Sequence, residues 1–281
     1  MVSLLVLLTV LALGAPEDVA PHSSTIPAPM LRTIFIMYSA NAPREAPEVF
    51  RRYLTSIDYA RAESLPVGIP VDRDRRYVLP TTLRRTWSGY AGLRHWVAEG
   101  CGRDTPGTII YNPERRHLTP AWEQNHFVTA IRRAARLVRS TGCHDFGLAP
   151  GSYYLGLHAA ECTFAPRKGI LKAVPWRSVD VLDIQAQRML GDSCAHEQGL
   201  NTYAAAASYI ATLARRRHPG IAVASQVSFR DNPPHRMLNA IARVAGVVDG
   251  IYFSYPTRHS GFPCDYCSPS EMAVLLEYLR G

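Results

Sequence analysis

Lysine is almost absent from this chain: Lys168 and Lys172 are the only lysines among 31 basic residues, set against 23 acidic ones. The 281 residues contain no G-x-G-x-x-G and no G-x-x-x-x-G-K-[ST] run. That removes the usual ways of cradling a dinucleotide or a nucleoside triphosphate on a helix N-terminus. There is no G-x-S-x-G elbow and no H-E-x-x-H pair either, which sets aside elbow-type serine hydrolases and zincins. Cys264-Asp265-Tyr266-Cys267 is a lone C-x-x-C with no second one and no His pair at finger spacing, so no zinc site is expected. Nothing in these patterns calls for a cofactor. The net charge is +8, but the arginines are scattered in short pairs such as Arg51-Arg52, Arg84-Arg85, Arg115-Arg116 and Arg132-Arg133. A nucleic-acid surface would gather them on one element among aromatics, so no nucleic-acid partner is expected.

What is present begins with an apolar run from Val2 to Ala15, ending in small residues at Ala12 and Gly14. It has the length of a signal peptide and is too short to cross a bilayer. Residues 1–15 are therefore expected to be a signal peptide and 16–30 a Pro/Ser-rich flexible tail. The remainder, 31–281, is expected to form one secreted domain without stable membrane insertion, acting as a monomer. With 47% apolar residues it can bury a substantial core. Six cysteines follow: Cys101, Cys143, Cys162, Cys194, Cys264 and Cys267. An even count beside an export signal favours disulfides.

From residue 31 on, apolar strand-like runs alternate with helical patterns. Strands are expected at Thr33–Tyr38, Val67–Val71, around Ile109, at Asp145–Pro150, Val179–Ala186, Ile221–Ser228 and Gly250–Tyr255. Helices are expected at Pro47–Ala62, Thr82–Glu99, Ala121–Thr141, Asn201–Arg217, Pro233–Ala245 and Ser268–Leu279. Ser268 and Glu271 have the spacing of a capping box for the last of these. The alternation implies βαβ units and a parallel sheet. The fold class is then α/β: a TIM-type (β/α)8 barrel, or a slightly incomplete one, with an open doubly wound sheet as the alternative. In a barrel, Cys101 and Cys143 each precede a neighbouring strand, Cys162 and Cys194 each follow one, and Cys264 and Cys267 share a loop. Topology thus pairs them 101–143, 162–194 and 264–267.

In such folds chemistry sits at the carboxyl ends of strands. Thr108-Ile109-Ile110-Tyr111-Asn112-Pro113-Glu114 delivers a carboxylate there, and strand alternation puts Ile110, Asn112 and Glu114 on one face. By the same alternation Asp183, Gln185 and Gln187 share a face, Gln226 lies on the inward face of its strand, and Tyr252 on that of the last. Amides and hydroxyls of this kind suit a hydroxyl-rich ligand, most simply a sugar. Trp176 and Tyr255 are the aromatics expected to stack on it.

The pattern from residue 33 onward resembles secreted glycoside-hydrolase-type (β/α)8 barrels. Several such families carry an Asp-x-Glu on one strand face, and Tyr111-Asn112-Pro113-Glu114 is similar to that element, with Asn112 in place of the Asp. The resemblance implies Glu114 as acid/base. Asp183 is the other interior strand carboxylate and the candidate for stabilising developing positive charge. Asn112, Gln185, Gln187, Gln226, Tyr252, Trp176 and Tyr255 would hold the substrate. The expected function is a glycosidase-like hydrolase, against a non-catalytic carbohydrate-binding barrel or a barrel lyase or cyclase acting on another small molecule.

Overall fold

The computed structural model describes residues 33–38, 59–61, 82–87, 89–98, 107–115, 119–191, 193–229, 232–255 and 268–280. In chain order these form β1 (Thr33–Tyr38), β2 (Tyr59–Arg61), β3 (Thr82–Trp87), α1 (Tyr90–Ala98), β4 (Gly107–Tyr111), α2 (Ala121–Asn125), α3 (Phe127–Arg139) and β5 (His144–Leu148). After α4 (Ser152–Leu155) comes a two-stranded hairpin, β6 (Leu157–His158) with β7 (Thr163–Phe164), and then α5 (Lys168–Ala173). β8 (Val181–Ile184), α6 (His196–Arg217), β9 (Ala222–Ser228), α7 (Pro234–Val244), β10 (Gly250–Tyr255) and α8 (Pro269–Arg280) complete the described chain. Hydrogen bonds run β1-β2-β3-β4-β5-β8-β9-β10, and β10 pairs back onto β1 to close a barrel. Every pair in it is parallel.

Alternation along the strands sorts the core into two parts. Ile109, Tyr111, Phe146, Leu148, Leu182, Ile184, Val223, Val227, Ile251 and Phe253 belong to one large cluster shared with the helices. Ile110, Ala149, Val181, Ala224 and Tyr252 form a second, small cluster inside the barrel. α3 shows why a helix forms over the outer face. Phe127, Ala130, Ile131, Ala134, Ala135 and Val138 are its buried residues, at spacings of three and four that make one apolar stripe. Each large side chain so buried contributes about 1.5–3 kcal/mol. The helix stops at Gly142, whose φ of 70° suits glycine. At the other end the sequence-read helix Ala121–Thr141 is broken by His126, at φ −118° and ψ 41°. α8 starts as its capping box requires: the Glu271 N–H donates to Ser268 Oγ (3.2 Å) and the Ser268 N–H to Glu271 Oε2 (3.1 Å).

Two helix expectations in the N-terminal half are corrected in part, at 59–61 and 82–87, while Tyr90–Ala98 is helical as expected. β2 lies where Pro47–Ala62 reads as helix, and β3 occupies the first third of Thr82–Glu99. β2 has three residues, too few to show a period of two. In β3 the pairing register shifts between Leu83 and Arg85, which interrupts its alternation. The expected strand Val67–Val71 lies outside the described residues. The Cys162–Cys194 disulfide forms as topology pairs it, with Cα atoms 5.4 Å apart. Cys143 is also disulfide-bonded, whereas Cys101, Cys264 and Cys267 lie outside the described residues.

At the strand N-termini one device occurs twice. Asp180, just before β8, accepts the Phe146 N–H of neighbouring β5 (2.8 Å) and pairs with Arg139 of α3 (2.8 Å). Asp249, just before β10, accepts the Val223 N–H of neighbouring β9 (2.8 Å) and pairs with Arg215 of α6 (2.8 Å). All four side chains are partly exposed, so each ion pair contributes at most about 1 kcal/mol. Their consequence is geometric: each fixes a helix end against the strand pair it covers.

Inside the barrel, Gly147 has no room for a side chain. A Cβ there would meet Ile110 Cγ1 at 2.7 Å and Thr108 Cγ2 at 3.0 Å. Gly147→Ala should therefore lower stability by about 1–3 kcal/mol, the usual range for overpacking, measured as a drop in the urea unfolding midpoint at unchanged slope.

Candidate active site at the strand C-termini

The β4 tip is shaped by its neighbours. Thr119 is fully buried; its Oγ1 accepts the Glu114 N–H (2.9 Å), and its carbonyl accepts the Gln124 side-chain amide (2.6 Å). From β5, the Ala149 N–H donates to the Tyr111 carbonyl (3.0 Å) and the Gly151 N–H to the Pro113 carbonyl (2.9 Å). Gly151 must be small, because a Cβ would stand 3.2 Å from Glu114 Cα and 3.3 Å from its Cγ. The two strand tips thus grip the segment that carries Glu114.

Gln185, at the end of β8, is the other organiser. Its Nε2 donates to Asn112 Oδ1 (2.5 Å) and to the Ala149 carbonyl (2.7 Å). With its oxygen so engaged, Asn112 turns its own amide N–H toward Glu114 Oε1, at a long 3.5 Å. Above this floor lies a cavity of about 290 Å³ lined by Glu114, Arg115, Gly151–Tyr153, Gln185, Gln187 and Arg188. Tyr153 is clamped between guanidiniums: Arg167 stacks 3.6 Å and Arg115 4.2 Å from its ring centre. Behind it Tyr154 packs edge-on at 5.5 Å and is itself stacked on Phe127.

The structure brings Glu114, Gln185 and Gln187 to one cavity, with Asn112 bonded beneath. It does not bring the other predicted residues there. Asp183 lies in the barrel interior at 3% exposure, one step down β8 from Gln185, with Oδ1 unpartnered by protein. Burial raises its carboxyl pKa well above the ordinary value, which disfavours the anion that its expected role requires. Gln226 and Tyr252 are buried and lie outside the cavity lining, and Gln226 Oε1 has no protein partner. Trp176 is at the wrong end: it precedes β8, is 2% exposed and donates its indole N–H to the Leu171 carbonyl (2.9 Å) as a core residue. The side chain of Tyr255 lies outside the described residues. Sequence reasoning did not place Gly151, Ser152, Arg188 or the clamped Tyr153 at the site. Their signal was position, since each directly follows a barrel strand.

A second buried acid near β4 is structural. Glu123 accepts the Tyr111 hydroxyl (2.6 Å) and the N–H of Tyr90, the first residue of α1 (3.0 Å to each oxygen). It therefore ties β4 to a helix N-terminus, where a carboxylate is favoured. Burial, and then the bond to Glu123, hold the Tyr111 hydroxyl protonated, far above the ordinary phenol range.

Fold and site together define a parallel α/β barrel with a polar strand-tip cavity. No family model and no curated protein sequence matches the chain. Among solved structures it is similar to a "putative alpha-L-fucosidase" from Bacteroides thetaiotaomicron VPI-5482, at TM-score 0.53 and 11% identity over 96% of this chain and 99% of that one. It also matches a glycosyl hydrolase family 2 member from Bacteroides cellulosilyticus DSM 14838, at TM-score 0.47 and 12% identity over 89% of this chain and 32% of that one. A third match is a dipeptide epimerase from Methylococcus capsulatus, at TM-score 0.36 and 14% identity over 84% and 57% of the two chains. At such identities the first likeness speaks for the fold alone, and the other two carry no argument.

The state of Asp183 has a measurable consequence. Its folded-state pKa is raised, so the folded protein binds the proton more tightly than the unfolded chain does. The stability this group contributes is full below its unfolded value near 4 and is lost as pH rises through the folded value. Asp183→Asn should flatten this decline and raise the melting temperature at pH 7 relative to the unsubstituted protein, read from thermal unfolding between pH 4 and 8.

Proposed function

We propose that this protein is a secreted, monomeric TIM-type barrel in which 31–281 is one domain, and that it acts as a glycoside-hydrolase-like enzyme on a carbohydrate. The observation that carries the reading is the placement of Glu114: a strand-tip carboxyl in a cavity whose floor is the Asn112–Gln185 amide network. The overall likeness to a fucosidase-type structure supports the scaffold. In this reading Glu114 protonates the glycosidic oxygen as the bond to the leaving sugar breaks, and later takes a proton from the attacking water. Gln187 and Ser152 hold hydroxyls, since amides and hydroxyls offer both donors and acceptors, and Gln185, its donors engaged, accepts from one through Oε1. Gln226 and Tyr252 support the cavity from the barrel interior.

A second reading is a carbohydrate-binding barrel that does not cleave. It is favoured by one feature: among the described residues, Glu114 is the one carboxylate lining the cavity, while two-carboxylate mechanisms need a partner at about 5 Å or 6.5–9.5 Å.

Glu114→Gln separates the two. Across a panel of glycosides it should lower kcat by about 10²–10⁴-fold, the usual contribution of a positioned acid/base, with folding intact by circular dichroism. Unchanged turnover removes Glu114 from the mechanism. Glycan binding without turnover by the unsubstituted protein leaves the binding reading.

A further inference from the structure

We infer that the ligand of this cavity is a sugar carrying an acidic group, a carboxylate or a sulfate ester; the inference rests on the carbohydrate reading of the same site. Arg115 and Arg188 line the cavity, both exposed at its rim. Among the described residues neither guanidinium is in an ion pair. Arg139, Arg215 and Arg243, by contrast, pair with Asp180, Asp249 and Glu197.

Arg115 is also held in place. Its guanidinium lies over the Tyr153 ring, 4.2 Å from the ring centre, and that of Arg167 lies over the same ring at 3.6 Å. With two guanidiniums over one ring, the contribution of Tyr153 is to fix Arg115. A stacked guanidinium keeps its N–H donors in the plane, at the edge, where they fit a carboxylate or sulfate through paired hydrogen bonds. Fixing it beforehand reduces the rotamer entropy lost on binding.

The charge balance points the same way. The described lining holds two guanidiniums against one carboxyl group, so positive charge is in excess. A neutral sugar leaves that charge uncompensated, and an acidic one neutralises part of it at a site partly screened from water.

The test uses full-length Glu114→Gln protein, so that ligands survive, in isothermal titration. The probes are three oligosaccharides of one linkage that differ at one carbon: a hydroxymethyl, a carboxylate, or a sulfated hydroxymethyl group. The expected result is binding of an acidic member about 10- to 100-fold tighter than the neutral one at low salt, as charge-assisted pairing to guanidinium allows. That advantage should shrink as ionic strength rises. Adding Arg188→Gln, or separately Arg115→Gln, should reduce the acidic-to-neutral ratio about tenfold. The ranking of carboxylate against sulfate identifies which anion the site takes. Equal binding of acidic and neutral ligands overturns the inference. So does a loss on arginine substitution that is the same for both, or no binding of any of the three. The glycosidase reading is judged separately, by cleavage with the unsubstituted protein. Cleavage of neutral glycosides without acidic preference keeps that reading and sinks this inference; acid-selective binding without cleavage does the reverse.

Discussion

In a closed ring of parallel strands every strand must bury both faces, and this constraint shapes everything else in the molecule. Outward residues disappear under helices, into the large core that includes Phe146, Leu182, Val223 and Phe253. Inward residues must fill a narrow axis, which they do with little: Gly147 against Ile110, then Ala149, Val181, Ala224 and Tyr252. The inward rows run on past the apolar layer. Ile110 leads to Asn112 and Glu114, and Val181 leads to Asp183 and Gln185. The period of two that packs the barrel therefore also places the polar groups at its mouth.

What those rows carry near the axis is uncharged. Gln185 spends both donors on Asn112 and on the Ala149 carbonyl. Burial disfavours the charged form of Asp183, because an isolated carboxylate in a low-dielectric interior is costly. The Asp183 Oδ1 and Gln226 Oε1 acceptors without protein partners show an interior with polarity to spare and no full charge. Full charges are displaced to the two ends of the barrel. At the strand N-termini Asp180 and Asp249 are consumed in fastening helices to strands. At the C-termini Glu114, Arg115 and Arg188 line one cavity.

The parts legible in the sequence are those where one period ran uninterrupted. β4, β9, β10, α3 and the Ser268–Glu271 capping box are examples. The Cys162–Cys194 bond was legible through topology, since both residues follow a strand. β2 was too short to declare a period, and β3 broke its own with a register shift. At the site, alternation located Glu114, Asn112 and Gln185, but it says nothing of residues beyond the strand ends. Gly151–Tyr153 and Arg188 enter through turns whose direction depends on tertiary contacts. Trp176 misled for a related reason. An aromatic beside a strand can sit at either end of it, and Trp176 lies before β8 rather than after it.

The site is built on connections rather than strands, and the long β5-to-β8 connection must be kept from wandering. It is fastened at two levels. Tyr153 leans on Tyr154, which stacks on Phe127 of α3 at 3.9 Å, so the aromatic that fixes Arg115 is anchored in the helix-covered core. Further along, Cys162 is joined to Cys194 across 32 residues. In the chain-entropy account, closing such a loop restricts the unfolded chain by roughly 3–4 kcal/mol. The bond links the connection that supplies Ser152 and Tyr153 to the one that supplies Gln187 and Arg188. Both arginine-bearing sides of the cavity are thereby held in register by contacts outside it.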